Sequence, residues 1–252
     1  MYSSTLQLLM MLLVAVASGL VGVFALMKKM TLAADSISHV ALPGLGLAIL
    51  FKINPLVGGV AALLLGAILI WLVENKTEIS TETIIGVFFS AALAIGTLIT
   101  PEGELIEVLF GSSLSVDLPT LIFGLIVSIL IVGFILFFKE KLTLALVSAD
   151  LAQVAGVNVS RLNLFFLLIF SLNVILGLQF LGALLMGSLI IVPAAIARNL
   201  ARSLNSALVI SVVSAVFSIT VGWWLADTYG FMLGPTIISA ASVLFFLTLL
   251  KK

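Results

Sequence analysis

The chain has 252 residues, of which 63% are hydrophobic and only 9% are charged, and its formal net charge is zero. Soluble domains are about 45–50% apolar and about 25% charged, so this composition is that of a membrane protein. The balanced charge argues against a nucleic-acid surface, and the absence of cysteine excludes disulfides, thiolate metal sites and a cysteine nucleophile.

Apolar runs predict an all-α, polytopic transmembrane bundle that forms one domain over residues 1–252. A span needs about 20 mostly apolar residues to cross about 30 Å of hydrocarbon. The first run has no basic segment in front and no small-residue cleavage site, so we expect it to be retained as a span. The predicted spans are residues 6–27, 31–51, 55–73, 83–100, 118–138, 162–180, 182–197, 206–226 and 234–249.

The span count depends on the second run, which Pro43-Gly44 interrupts and which we expect to be a broken helix. Eight full spans and nine are therefore both acceptable. A further run, residues 105–116, is too short to cross and suggests an interfacial or re-entrant turn.

The Lys and Arg residues predict the orientation. With the N-terminus outside and nine crossings, ten of the eleven basic residues lie inside, and only Lys52 lies outside. A miscounted span before the middle of the chain would divide them between the two faces. We therefore expect the C-terminus to be cytoplasmic.

Asp35 and His39 are the candidate functional pair. His39 is the only histidine of the chain, and Asp35 precedes it by four residues. On a helix this spacing places both side chains on one face. A charged group inside a membrane costs at least about 2.5–3.5 kcal/mol, so such residues usually face a bundle interior and have a task. The spacing alone leaves two interpretations open, a hydrogen-bonded structural pair and a pair of metal ligands.

Pro43 favours the metal interpretation. Its nitrogen carries no hydrogen, so the carbonyl of residue 39 loses its helical partner and is free to face a cavity together with the His39 ring. One aspartate and one histidine do not complete a coordination shell. A second pair from a two-fold dimer, or water, would have to supply the rest. Asn173, also inside a predicted span, is expected to form an interhelical hydrogen bond rather than to line a pore.

Residues 140–161 predict a short cytoplasmic helix between two spans. Ser148 is placed to cap a helix over residues 149–155, Asp150 lies in its first turn, and Gly156 is placed to end it in a left-handed turn. The pattern fits either an ordinary amphipathic connector or a lever that docks into a partner. No Walker A sequence occurs in the chain, so ATP hydrolysis by that motif would belong to another subunit.

Two other classes of protein are possible for such a chain, an intramembrane enzyme and a gradient-driven transporter or channel. An intramembrane metalloprotease needs a ligand set such as H-E-x-x-H, which a chain with one histidine does not supply. A gradient-driven secondary transporter or channel often has internal repeats and several intramembrane carboxylates, whereas this chain has Asp35 and no clear repeat. This second class remains the alternative.

The segment DSISHVALPG, residues 35–44, resembles the second-span signature of permeases from bacterial ABC importers for zinc, manganese and iron(II). The likeness covers nearly the whole chain, and the order and spacing of its fragments match that family. The other matching fragments are ETIIG (82–86), FS (89–90), AIG (94–96), LFGS (109–112), LS (114–115), DLA (150–152), Gly156, Asn163, GALL (182–185), PAAIA (193–197) and GP (234–235).

The resemblance implies a permease subunit without enzymatic activity or a permanently bound cofactor, located in the bacterial cytoplasmic membrane. Two copies would form the pore, two ATP-hydrolysing subunits would dock beneath it, and an extracellular protein would deliver a divalent ion such as manganese, zinc or iron(II). It implies that Asp35 and His39 lie on the metal path. It also makes the short helix, with Asp150, Ala152 and Gly156, the segment that contacts the ATPase.

Overall fold

A computed structural model describes residues 2–100 and 118–250, and it describes the side chains of 5–30, 35–100, 118–178 and 186–250. All regular secondary structure in these residues is helical, as the sequence predicts. The helices are α1 (Tyr2–Met27), α2 (Thr31–His39), α3 (Leu42–Leu50), α4 (Pro55–Lys76), α5 (Thr81–Ile99), α6 (Leu118–Val147), α7 (Ala149–Val154), α8 (Val159–Leu200), α9 (Leu204–Tyr229) and α10 (Leu233–Leu249).

Six segments of the described residues are long and apolar enough to cross a membrane. These are Thr5–Met27, Pro55–Lys76, Thr81–Ile99, Leu118–Val147, Val159–Leu178 and Leu204–Tyr229. Three shorter apolar helical segments accompany them, Asp35–Leu50, Met186–Leu200 and Leu233–Leu249. The total of eight to nine spans therefore stays a prediction, and the expected re-entrant turn at 105–116 lies outside the described residues.

The second predicted span is broken, although one turn earlier than the Pro43-Gly44 pair itself. Helix α2 ends at His39 and α3 begins at Leu42, so that Pro43 occupies the first turn of α3. A proline is tolerated in the first turn of a helix because that turn's N–H groups lack intrahelical partners anyway. The chain therefore ends one helix before the proline and starts another with it.

Helix α8 covers both of the predicted spans 162–180 and 182–197. Its 42 residues form one continuous run of helical backbone. A straight helix of this length would measure about 63 Å, about twice the hydrocarbon thickness. Contacts with α1 show that α8 bends back, since Asn173 bonds Ser18 whereas Ile190 lies against Gly22, one turn further along α1. On a straight helix Asn173 and Ile190 would be about 25 Å apart.

The bend explains how a single helix is compatible with the two spans that the sequence predicts. Gly177 and Met186 contact each other, and a Cβ on Gly177 would collide with the Met186 sulfur. The two halves of α8 therefore lie side by side, with α1 packed against both. Within α8 no proline precedes Pro193, so nothing in the local sequence obliges the helical hydrogen bonding to stop at the bend.

Helix α1 lies at the centre of the bundle, where it packs against α6, α8 and α9. Small residues allow the close approach: the Ser211 hydroxyl of α9 donates to the Gly19 carbonyl oxygen at 2.7 Å. Phe24 and Val21 are fully buried. This central position fixes the C-terminal end of α1, which leads directly into α2.

Helix α6 continues nine residues beyond the predicted span end at residue 138. Lys139, Glu140 and Lys141 lie inside this helix. These charged residues must end the membrane span, but they and the following Leu and Ala residues have high helix propensity, so the helix itself continues. We call the end of the bundle that holds Lys28, Glu74, Lys139 and Asn163 the basic end. Helices α1, α4 and α6 run toward this end, and α5 and α8 start from it.

Candidate functional site

Asp35 and His39 both lie on α2, between α5 and α8. Asp35 is half-buried, and its backbone carbonyl accepts a hydrogen bond of 2.6 Å from the Ser38 hydroxyl. His39 is the last residue of α2 and is only 5% exposed. The one-turn spacing thus places both side chains on the same helix, directly before the break.

The break changes the hydrogen bonding around His39. The N–H of Val40 donates to the Ile37 oxygen at 3.0 Å, and the N–H of Ala41 donates to the Ser38 oxygen at 3.4 Å. The next helical bond runs from Leu45 to Ala41. Among the described residues no backbone N–H donates to the His39 carbonyl oxygen, which is the result expected from the missing N–H of Pro43.

The His39 ring is held by an aromatic contact from α5. The Phe89 ring meets it edge to face, with the ring centroids 5.3 Å apart and the planes at 65°. Its Nδ1 atom is buried and has no hydrogen-bond partner among the described residues. An unpartnered buried polar atom costs about 1–3 kcal/mol, so this nitrogen is suited to bind a metal ion or a hydrogen-bond donor. The imidazole thus fits the role of metal ligand that the sequence suggests.

One chain does not supply a full metal site from strong ligands. The described residues contain no group of three or more His, Asp or Glu side chains close enough to hold an ion. Oxygen and nitrogen ligands without thiolate suit manganese, iron(II) and zinc. Asp35 and His39 would therefore need a second copy, water or backbone oxygens to complete coordination.

The short helix α7 forms as the sequence predicts. The Ser148 hydroxyl accepts from the Leu151 N–H at 3.2 Å, and Gly156 adopts φ +77° just beyond the helix end. Asp150 is exposed, but Ala152 is fully buried. The side chain of Ala152 therefore packs inward and is not part of an outer docking face.

The outer surface of α7 is apolar, a property that the sequence pattern alone did not reveal. Leu151 is 58% exposed and Val154 is 87% exposed. Exposed aliphatic side chains on a short capped helix fit a surface that is covered in an assembly. These two residues complete the candidate docking face around Asp150.

Four polar side chains that are far apart or unrelated in the sequence pattern meet at the basic end. Lys28 donates to the amide oxygen of Asn163, and the amide nitrogen of Asn163 donates to one oxygen of Glu74. The Thr81 hydroxyl donates to the other oxygen of Glu74. We call Lys28, Asn163, Glu74 and Thr81 the amide relay, because the Asn163 amide joins an ammonium to a carboxylate.

The amide relay borders a cavity of about 460 Å³ that Gln153 of α7 also lines. Burial lowers the pKa of Lys28 to about 8, and the nearby Glu74 carboxylate opposes that shift. The Lys28 ammonium also lies 4.9 Å from the centroid of the Phe166 ring, which is a favourable cation–π distance. The cavity thus places α7 beside the residues that join α1, α4, α5 and α8.

No local pattern could have revealed the amide relay, since two of its three hydrogen bonds join residues that lie 135 and 89 positions apart in the chain. The available signal was weaker: Lys28 and Glu74 are ionisable residues at span ends, and Asn163 is a polar residue at the start of a span. Each of these residues could be explained simply as a polar residue that marks the end of a membrane span. Phe89 was similarly just part of a family fragment until the structure placed it against His39.

These features define a class of protein: an all-helical membrane protein with a central broken segment that carries one carboxylate and one imidazole, and a short capped helix at its basic end. The sequence matches the ABC 3 transport family over residues 3–252, and the chain belongs to that family. The resemblance stated above is therefore confirmed.

Similar proteins cover almost the whole chain. The zinc uptake system membrane protein ZnuB of Haemophilus influenzae is 32% identical over 92% of this chain and 90% of its own length. The manganese transport system membrane protein MntC of Listeria monocytogenes is 27% identical over 94% and 86%. The solved structure of PsaBC from Streptococcus pneumoniae in complex with Fab has a TM-score of 0.83 and 26% identity, covering 96% of this chain and 88% of that one.

Proposed function

We propose that this chain is the membrane permease subunit of an ATP-driven importer of a divalent transition-metal ion. The observation that carries the proposal is the Asp35–His39 pair at the break of a membrane helix, with the buried His39 Nδ1 lacking a partner. Manganese, zinc and iron(II) all suit these ligands. The names of the similar zinc and manganese proteins support the same class of cargo.

Transport requires two copies of the chain and two ATP-hydrolysing subunits. A two-fold axis would bring a second Asp35–His39 pair toward the first and so supply four ligands instead of two. The ATPase would contact α7 through Asp150, Leu151 and Val154, with Gly156 allowing the turn into α8. Ala152 would serve the packing of α7 rather than the contact itself.

The ion enters from outside and leaves at the basic end. An extracellular metal-binding protein would deliver it, with the N-terminus outside and the C-terminus in the cytoplasm of a bacterial inner membrane. The excess of Lys and Arg at the basic end supports this direction, since such residues concentrate in cytoplasmic loops.

The experiment is purification of the chain with any soluble subunit that accompanies it, followed by reconstitution into liposomes with the extracellular metal-binding protein supplied outside. We expect a co-purifying ATPase and uptake of manganese or zinc that requires ATP on the side of the membrane where the ATPase subunits lie. This uptake should persist when ionophores collapse the proton and sodium gradients. Uptake that instead stops with the ionophores and ignores ATP would favour a gradient-driven transporter or channel and would contradict the proposal.

A further inference from the structure

The amide relay joins the ends of four helices at one point. Lys28 follows α1, Glu74 lies in the last turn of α4, Thr81 begins α5, and Asn163 lies near the start of α8. Both oxygens of Glu74 and both polar atoms of the Asn163 amide have partners. The four side chains are partly buried, and in such a network, where every member has a partner, the loss of one member leaves the others without theirs.

On one side a tight turn connects the relay to α2. Lys29 has φ +59°, and the N–H of Met30 donates to the Ala25 oxygen at 2.9 Å across it. This is the hydrogen-bond pattern of a Schellman turn, which fixes the direction of the chain beyond a helix end. Lys28 is thus tied to the beginning of α2, the helix of Asp35.

On the other side a turn of the same kind connects the relay to α7. Gly156 has φ +77°, and the N–H of Val157 donates to the Ala152 oxygen at 2.9 Å. The Asn158 side chain then caps α8 by accepting from the Arg161 N–H at 3.0 Å. Asn163 therefore follows α7 through a short connection held by these hydrogen bonds.

Through Thr81 the relay also reaches α5, a helix that packs against the Asp35–His39 site. Thr81 starts α5, and Phe89 on the same helix holds the His39 ring. A movement of Asn163 would thus be transmitted to α2 through Lys28 and to α5 through Glu74 and Thr81. These are the two helices from which His39 and its aromatic contact project.

We propose that Lys28, Asn163 and Glu74 are positioning residues that transmit the state of the ATPase docked at α7 to the Asp35–His39 pair. The proposal rests on the proposed function, because it needs an ATPase at α7 and a metal at that pair. The relay converts a change in the docked ATPase into a joint movement of α2 and α5. ATP hydrolysis and release of the metal ion therefore stay coupled.

The test measures metal ions transported per ATP hydrolysed by the complete transporter in liposomes. Lys28→Gln, Glu74→Gln and Asn163→Leu each interrupt the relay, and we expect each to lower this ratio about tenfold while ATP hydrolysis continues, within the range of ordinary coupling energies. Trp71→Phe is the matched control. It removes the bond from Trp71 to Ser160 between α4 and α8, at 2.9 Å, without touching α1 or α5, and should leave the ratio unchanged.

A charge exchange gives the sharper result. In Lys28→Glu combined with Glu74→Lys, the Asn163 amide can turn over, donating to residue 28 and accepting from residue 74. We expect this double variant to recover most of the ratio that either single exchange loses. Thermal unfolding in detergent is measured for every variant, and the comparison uses those that unfold near the wild-type temperature.

The outcomes separate the two proposals. A wild-type complex without ATP-driven uptake would contradict the proposed function. A wild-type complex that transports normally, with an unchanged ratio in the single variants or no recovery in the double variant, would overturn the relay while leaving the proposed function intact.

Discussion

Gly44 of α3 and Gly58 of α4 lie in direct backbone contact: a Cβ on either residue would collide with the carbonyl oxygen of the other. The contact joins the half of the broken segment that follows His39 to its neighbouring helix. The residue after His39 makes a similar approach, since a Cβ on Gly66 of α4 would lie 2.7 Å from the Val40 side chain. The break is therefore held on the α4 side by close packing.

Gly44→Ala should destabilise the protein by about 1–3 kcal/mol, because the added methyl group meets backbone that does not yield easily. Gly133→Ala is the control: nothing lies within 4 Å of its Cβ position on α6, so this change should be neutral or stabilising by up to about 1 kcal/mol. Thermal unfolding in detergent measures both. Equal stability of the two variants would contradict the close contact.

Lys52→Gly should stabilise the protein by about 0.5–1 kcal/mol, since the left-handed conformation is free of strain only for glycine. Lys52 has φ +55° and ends α3 in the same kind of turn as Lys29, with the Ile53 N–H donating to the Ala48 oxygen at 2.8 Å. Lys52→Ala removes the charge but keeps the Cβ. A rise in unfolding temperature that alanine reproduces would show that charge, not conformation, is responsible.

Ser18 and Asn173 should be coupled by about 0.6 kcal/mol, the average for hydrogen bonds between membrane helices. The Asn173 amide donates to the Ser18 hydroxyl at 3.2 Å, and both side chains are fully buried. The predicted interhelical role of Asn173 is thus confirmed. A double-mutant cycle with Ser18→Ala and Asn173→Ala measures the coupling, and simple additivity of the two changes would refute it.

The free energy of unfolding should rise with pH because of Lys28 at the basic end. Burial lowers the pKa of Lys28 from 10.5 to about 8, so between these values the unfolded chain binds more protons than the folded one. The folded state therefore gains stability as the pH rises from about 8 to 10.5. Thermal unfolding across this range should show a steeper rise for the wild type than for Lys28→Met, which has no group to titrate. Parallel curves would place Lys28 in contact with water.

The sequence predicted those features that depend on neighbouring residues. Apolar runs located the helices, Ser148 and Gly156 bounded α7, and Pro43 required a break near His39. Each follows from local hydrogen bonding or from the cost of polar groups in hydrocarbon.

Features that depend on tertiary contacts were not predictable from the sequence. The bend of α8 becomes visible only through its contacts with α1, and the burial of Ala152 depends on what packs against α7. The amide relay requires Lys28, Glu74 and Asn163 to meet from three helices. Each of these three relay residues, taken alone, was equally compatible with a solvated helix end.

The most direct measurement is ATP-driven uptake of radioactive manganese and zinc by the reconstituted transporter carrying Asp35→Asn or His39→Gln, with Leu47→Ala on the exposed face of α3 as control. We expect both site variants to abolish uptake of either ion while subunit assembly and ATP hydrolysis persist, and the control to transport normally. Uptake at the wild-type rate by either site variant would show that the ion passes elsewhere.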